Sequence, residues 1–209
     1  MTSNVYRFED RVFDPAVPLH PIVSAAASGD LPPWAVAGPE RRGHLTRVAA
    51  LLGAWAEELG LDETDRVRWR AAGHLHDVLR DEEPDRLRPR VPVAEQCLPG
   101  PLRHGPAAAE RLRIEGVEDG PLLTAIAWHT VGDPRFGRLG RALFAADFLE
   151  PGRTFLPDWR AALRARMPGE LDGVTREVAR ARLTHVLERG RPLLARSTEF
   201  WNRLVEDAG

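Results

Sequence analysis

The sequence predicts an all-α fold: a single helical bundle with an irregular N-terminal extension. Three observations carry that prediction. Apolar residues recur at three- and four-residue steps over most of the chain, no run of six shows the strict alternation or Val/Ile density of a strand, and Pro and Gly punctuate the periodic runs. Residues 1–38 are rich in Pro, Gly and small side chains, with a Ser24–Ala27 segment that makes a turn or so of helix at most, and they read as an arm. Residues 39–209 form the domain. His44, Val48, Leu51, Leu52, Trp55 and Leu59 mark one buried face of a helix over 40–59, which Gly60 stops. Asp62 or Thr64 caps a second helix, with Val67, Ala71, His74 and Val78 on one face and Trp69, Ala72 and His76 on the next; it is expected to end near Arg80.

Five prolines in 81–103 (Pro84, Pro89, Pro92, Pro99, Pro101) exclude a long helix there and predict a connecting loop with short turns. Gly105-Pro106 and Asp119-Gly120-Pro121 place Pro at helix starts, predicting helices through Ala107–Leu112 and Leu122–Thr130. Gly137–Glu150, Trp159–Met167, Gly173–Glu188 and Thr198–Val205 complete the set. No internal repeat or low-complexity tract is present.

Composition narrows the function. Among 209 residues, 29 Lys+Arg against 31 Asp+Glu give 29 − 31 = −2, which argues against a nucleic-acid-binding surface. No stretch approaches the ~20 apolar residues of a membrane span, and Arg7, Glu9 and Asp10 stand where a signal peptide needs an apolar run. A cytoplasmic protein with no membrane partner is expected. Cys97 is alone, so an internal disulfide and a multi-cysteine zinc site are both excluded. Every cation is Arg, which removes Schiff-base and P-loop lysines.

The polar residues that break the apolar pattern carry the chemistry. His44 lies on the stripe of Val48, Leu52 and Trp55, so it points inward. Asp77 follows His76 on a helix made slim by Ala71, Ala72 and Gly73, and Asp147 interrupts the apolar run 143–149. A lone buried carboxylate costs several kcal/mol, so something positive must meet each acid. Ion pairs such as Asp77–Arg70 and Asp147–Arg141 would suffice. Inward histidines on separate helices, His104 and His129 among them, favour a transition metal, because imidazole and carboxylate supply its ligands.

His44, then His76-Asp77, then Asp147 resembles the H…HD…D signature of HD-domain metal-dependent phosphohydrolases, and His104 and His129 fall where two-metal members place extra ligands. Six blocks resemble the YqeK branch: Arg41–His44, Leu75–Asp77, Leu102–Pro106, His129-Thr130 with Gly132, Ala146–Pro151 with Arg153, and Arg191-Pro192 with Asn202. They run in order over roughly residues 38–205. The resemblance implies symmetrical hydrolysis of diadenosine tetraphosphate to two ADP, on one or two divalent or trivalent metal ions. Iron comes first by that resemblance; manganese, cobalt, nickel and zinc suit the same donors.

It further implies that His44, His76, Asp77 and Asp147 hold one ion, and that Asp77, His104 and His129 hold a second, with Asp77 bridging. Asp77, His104 and Arg80 become the candidate catalytic residues, and Arg41, Arg80, Arg153 and Thr130 the candidate phosphate binders. The chain departs from many relatives at Arg80, where they carry Lys; the charge is kept. Hydrolysis of another nucleotide (a nucleoside monophosphate, a dNTP or a cyclic dinucleotide) and a non-catalytic metal- or nucleotide-sensing module are the competing expectations. A homodimer is a further expectation, with Phe200-Trp201 and the arm as contact surfaces. Trp128 and Phe148 are read as core residues before base-stacking ones, His74 as structural or supporting, and His20 and His185 as non-ligands.

Overall fold

The structure, a computed structural model, describes residues 18–208. Among them are ten α-helices and no strand: α1 (Pro21–Ala27), α2 (Pro39–Glu58), α3 (Glu63–Leu75), α4 (Pro84–Leu87), α5 (His104–Ile114), α6 (Gly120–Trp128), α7 (Arg138–Leu149), α8 (Pro157–Arg166), α9 (Leu171–Glu188) and α10 (Ala195–Glu206). The all-α expectation holds. Three 3₁₀ turns, Arg88–Arg90, Val93–Glu95 and Gly100–Leu102, occupy the Pro-rich connection, where Leu87, Val91 and Leu98 anchor the segment in the core.

Helix starts follow the sequence. Pro stands in the first two positions of α1, α2, α6 and α8, where its missing N–H costs nothing. Asp62 accepts from Asp65 N at 2.8 Å to cap α3, and Asp119 accepts from Leu122 N at 3.0 Å to cap α6. The buried Arg68 binds the same Asp119 at 2.6 and 2.9 Å, tying α3 to α6.

α2 and α3 lie along each other and α7 packs on both, on α6 and on α9; α10 covers the α9 side. Leu45, Val48 and Leu52 of α2, Leu75 of α3, Leu122, Leu123 and Ile126 of α6, and Leu143 and Phe144 of α7 meet in one core. α6 is buried on nearly all sides, which its apolar composition requires. Phe200 of α10 closes this core against Phe136 and Phe144, with ring centroids 5.3 and 5.2 Å away. Phe200 is thus an interior residue, 1% exposed, and not part of a surface for a second copy. Burying one such ring contributes about 2 kcal/mol.

Two features depart from expectation. In the segment assigned to the arm, residues 1–17 lie outside the described residues, while α1 packs on α3 and buries Val23 and Ala26 in the core. The two turns of helix form because Pro21 starts the helix and His20 Nδ1 accepts from Ile22 N at 3.3 Å. The second departure is the end of α3 at Leu75 instead of Arg80. His76 turns its ring back so that Nδ1 bonds Gly73 O at 2.9 Å, the carbonyl that the next helical turn would use. The chain leaves the helix at the histidine itself.

Candidate metal centre

Close approach of helices brings the polar residues together. A Cβ on Gly73 would lie 2.4 Å from Ala49 Cα, and one on Gly105 would lie 2.5 Å from Ala127 O. These two glycines set the spacing of α2 against α3 and of α5 against α6. The first contact places His44 beside His76; the second places His104 beside His129.

All six sequence-derived ligands converge in one buried cluster. His44 is 5%, His76 0%, Asp77 4%, His104 3%, His129 2% and Asp147 7% exposed. His44 Nε2 lies 3.2 Å from His76 Nε2, and His104 Nε2 lies 3.1 Å from His129 Nε2. Asp77 stands between the pairs. Its Oδ1 is 2.9 Å from His104 Nε2 and 3.1 Å from His129 Nε2, while its Oδ2 is 3.8 Å from His44 Nε2 and 3.9 Å from His76 Nε2. Asp147 Oδ1 adds a contact of 3.3 Å to His44 Nε2 and 3.9 Å to His76 Nε2. The donors fall into two triads, His44-His76-Asp77 and Asp77-His104-His129, that share Asp77.

The far nitrogen of each ring explains why the near ones matter. His76 Nδ1 faces Gly73 O at 2.9 Å, His104 Nδ1 faces Pro101 O at 2.9 Å and His129 Nδ1 faces Ile126 O at 2.8 Å. His44 Nδ1 faces Glu150 Oε1 at 3.3 Å. These partners only accept, so the hydrogen-bond network assigns the single imidazole proton to Nδ1 in all four rings. Burial lowers the His104 pKa and pushes that of His76 down to about 3, so neither takes a second proton near neutral pH.

Bare Nε2 lone pairs therefore face one another and the carboxylates. Asp77 Oδ1 is left without a hydrogen-bond donor. Such an arrangement is repulsive unless a cation sits among the donors. Ligands ~2.1 Å from one ion lie about 3.0 Å apart at right angles and about 3.4 Å apart at tetrahedral angles, and the spacing of each histidine pair falls in that range. The donor set fits a metal.

Arginines surround the acids. Arg41 Nη1 donates to Asp77 Oδ2 at 2.6 Å, with its Nε 3.3 Å from Asp81 Oδ1. Arg153 Nη2 reaches Asp147 Oδ1 and Arg182 Nη2 reaches Asp147 Oδ2, each at 2.8 Å. For Asp147, burial acts to raise the carboxyl, and the Arg182 charge acts against it and holds it below the usual value. Neither local ion pair read from the sequence forms: Arg141 binds Asp172 and Asp207, and Arg70 approaches Glu57 and Glu63.

The other candidates take distinct places. Thr130 Oγ1 lies 3.0 Å from His129 Nε2. Arg80 Nη1 donates to Pro101 O at 2.8 Å, the carbonyl that also receives His104 Nδ1. Trp128 is buried under the Arg196 guanidinium, 3.8 Å from its ring centroid, and is a core residue. His74 lies outside the cluster, near Gly29.

Glu150, Arg47 and Arg182, given no role in the site from sequence alone, complete the surroundings. Glu150, 2% exposed, accepts from Arg47 Nε at 2.5 Å and from Gly152 N at 2.7 Å. Burial acts to raise its carboxyl, and these donors outweigh it and keep it below the ordinary value. Arg182, on α9, bonds Thr130 O at 2.9 Å and lies 4.7 Å from the Phe144 ring centroid. Its place among the other arginines of a charged helix gave no signal of this.

The sequence and the fold resemble those of known proteins. The HD domain family model matches residues 41–152. A protein of Halalkalibacterium halodurans named bis(5'-nucleosyl)-tetraphosphatase, symmetrical, is 28% identical over 147 residues, which cover 68% of this chain and 78% of that protein. A protein of the same name from Staphylococcus aureus is 31% identical over 123 residues, or 56% of this chain and 62% of its own. The crystal structure of a Clostridium acetobutylicum protein, described as a predicted HD superfamily hydrolase involved in NAD metabolism, superposes with a TM-score of 0.72. It is 22% identical and covers 88% of this chain and 96% of its own, a likeness of fold. No helix among the described residues is long and apolar enough to cross a membrane.

Proposed function

The chain belongs to the HD-domain family of metal-dependent phosphohydrolases, and we propose that it hydrolyses diadenosine tetraphosphate symmetrically to two ADP. One observation carries the chemical part of this reading: four imidazoles, each with its proton tied away from the centre, direct bare nitrogens toward a shared carboxylate. The relatives' printed names point to a bis(5'-nucleosyl) tetraphosphate cut symmetrically, and adenosine as the nucleoside follows from the family resemblance.

His44, His76 and Asp77, with Asp147 alongside, would hold one ion; Asp77, His104 and His129 would hold a second. Imidazole and carboxylate without thiolate suit iron, manganese, cobalt, nickel or zinc, and the family resemblance puts iron first. When bound, the metal supplies Lewis-acid polarisation of a phosphoryl oxygen and a water of lowered pKa. Symmetrical hydrolysis adds water across the bond between one inner phosphorus atom and the oxygen joining the inner pair: the hydroxyl goes to that phosphorus and the proton to the leaving oxygen. One ADP leaves and the other carries the new oxygen.

The chain's own residues bind and orient the phosphates. Arg41 and Arg153, half-buried to exposed at 23% and 42%, hold charge at the edge of the cluster, where a guanidinium pairs with phosphate oxygens. Arg80 is held near the centre by Pro101 O, the acceptor it shares with His104 Nδ1. Thr130 offers a hydroxyl beside His129. Asp77, His104 and Arg80 are the catalytic residues in this reading: Asp77 and His104 would hold the ion next to the phosphoryl group, and Arg80 would offer it charge.

Purified protein supplied with iron, manganese or cobalt and diadenosine tetraphosphate should yield ADP as the sole product. AMP plus ATP in equal amounts, or no turnover with any of the three metals, contradicts the assignment.

A further inference from the structure

The four imidazoles of the cluster are not supported alike. His76, His104 and His129 stand at helix ends, and each gives its Nδ1 proton to the carbonyl three residues earlier, a neutral acceptor supplied by the local turn. His44 lies inside α2, where the preceding carbonyls are taken by the helix itself. Its Nδ1 instead meets a carboxylate 106 residues away in sequence, Glu150 Oε1, at 3.3 Å. That carboxylate is fixed from its other side, since Oε2 accepts from Arg47 Nε at 2.5 Å and from Gly152 N at 2.7 Å. The chain has thus built one carboxylate–imidazole pair and aimed it into the centre.

We propose that Glu150 is a positioning residue that sets the tautomer and the donor strength of His44, the one of the four imidazoles whose far nitrogen is met by a side chain. The inference rests on the metal-binding reading above. An anionic acceptor behind an imidazole increases electron density at the opposite nitrogen and locks the ring's orientation; removing such partners typically costs 10- to 100-fold in metal affinity. Glu150 reaches His44 without touching the cation, and Arg47 keeps the carboxylate in place. The last turn of α7 and the body of α2 are thereby coupled through the ligand.

Glu150→Gln is the discriminating change, because it keeps the volume and one acceptor oxygen while removing the charge. If the amide nitrogen turned toward Nδ1, the ring would move its proton to Nε2 and lose its ligating lone pair; either arrangement weakens binding. The full chain is tested with zinc as a diamagnetic probe, using chelator competition for affinity, ¹⁵N–¹H spectra of the imidazole rings and melting of the metal-free protein.

The expected result is a 10- to 100-fold loss of zinc affinity in Glu150→Gln, with the His44 ring signals displaced and those of His76, His104 and His129 unmoved. Glu150→Ala should lose at least as much. Zinc affinity of Glu150→Gln within twofold of the unmodified protein overturns the proposal, and so does a loss accompanied by displacement of all four rings, which marks a general loosening. Should Glu150→Ala melt before it can be assayed, Glu150→Gln decides alone. If the unmodified chain retains no zinc, the metal-binding reading itself fails, a result separate from equal binding by protein and variant.

Discussion

Two buried acids of the same bundle, Asp133 and Asp77, face opposite conditions. Asp133 is 0% exposed and has a donor for every direction: Arg135 N and Nε at 2.9 and 2.8 Å on Oδ1, and Arg135 Nη2 at 2.7 Å with Arg196 Nη1 on Oδ2. Asp77 is 4% exposed, has Arg41 on one oxygen, and turns the other toward two imidazole nitrogens that cannot donate. Equal burial therefore hides different purposes. A satisfied acid ties elements together, here α10 to the loop before α7; an acid facing lone pairs holds a place for a cation.

The largest effect expected from this contrast is at Asp77. Asp77→Asn should reduce phosphohydrolase activity to background and lose metal from both triads, while the metal-free protein melts close to the unmodified one, because the weakened Arg41 pairing is offset by relief of the oxygen that faces two imidazole lone pairs. Metal analysis and thermal melting of the metal-free proteins check this together; wild-type metal content in the variant would break the comparison.

Asp133→Asn should do the reverse. Arg135 and Arg196 lose an anionic partner, and as both are partly exposed the expected cost is about 2 kcal/mol of stability, with zinc affinity retained. Denaturant unfolding measures the first and chelator competition the second.

A smaller effect sharpens the same contrast by pH. Burial acts to raise the Asp133 carboxyl, but Arg135 and Arg196 outweigh it and hold it below its ordinary value. The folded state thus binds its proton less readily than the unfolded chain. The stabilisation is present above the unfolded value of about 3.9 and is lost as pH falls through the folded one. The stability gap between the unmodified chain and Asp133→Asn should narrow as pH drops below about 4; a gap independent of pH would contradict the ion-pair account.

Local signals made the fold readable. The apolar steps of 40–59 and the Pro-marked starts of α5 and α6 depend only on neighbours in sequence, and the helices lie where they point. The end of α3 was not readable in this way, because it depends on the His76 side chain competing for Gly73 O.

In the centre, the residues that could be ligands were legible as polar breaks in apolar faces. Their partners were not. The sequence offers Asp77 and Asp147 arginines on their own helices as the alternative to a metal, whereas the structure gives Asp77 an arginine 36 positions away and Asp147 one 35 positions away. Glu150 looked like a polar helix end before Pro151, and only the packing of α2 against α7 shows that it stands behind His44.

The central claim is that these imidazoles and Asp77 grip a cation. A crystal structure of the protein grown with iron or manganese, with anomalous data collected at the metal's absorption edge, tests it most directly. The account predicts anomalous density among the Nε2 atoms of His44, His76, His104 and His129, at bonding distance from Asp77. Full metal occupancy elsewhere in the molecule, with no density between these side chains, would contradict it.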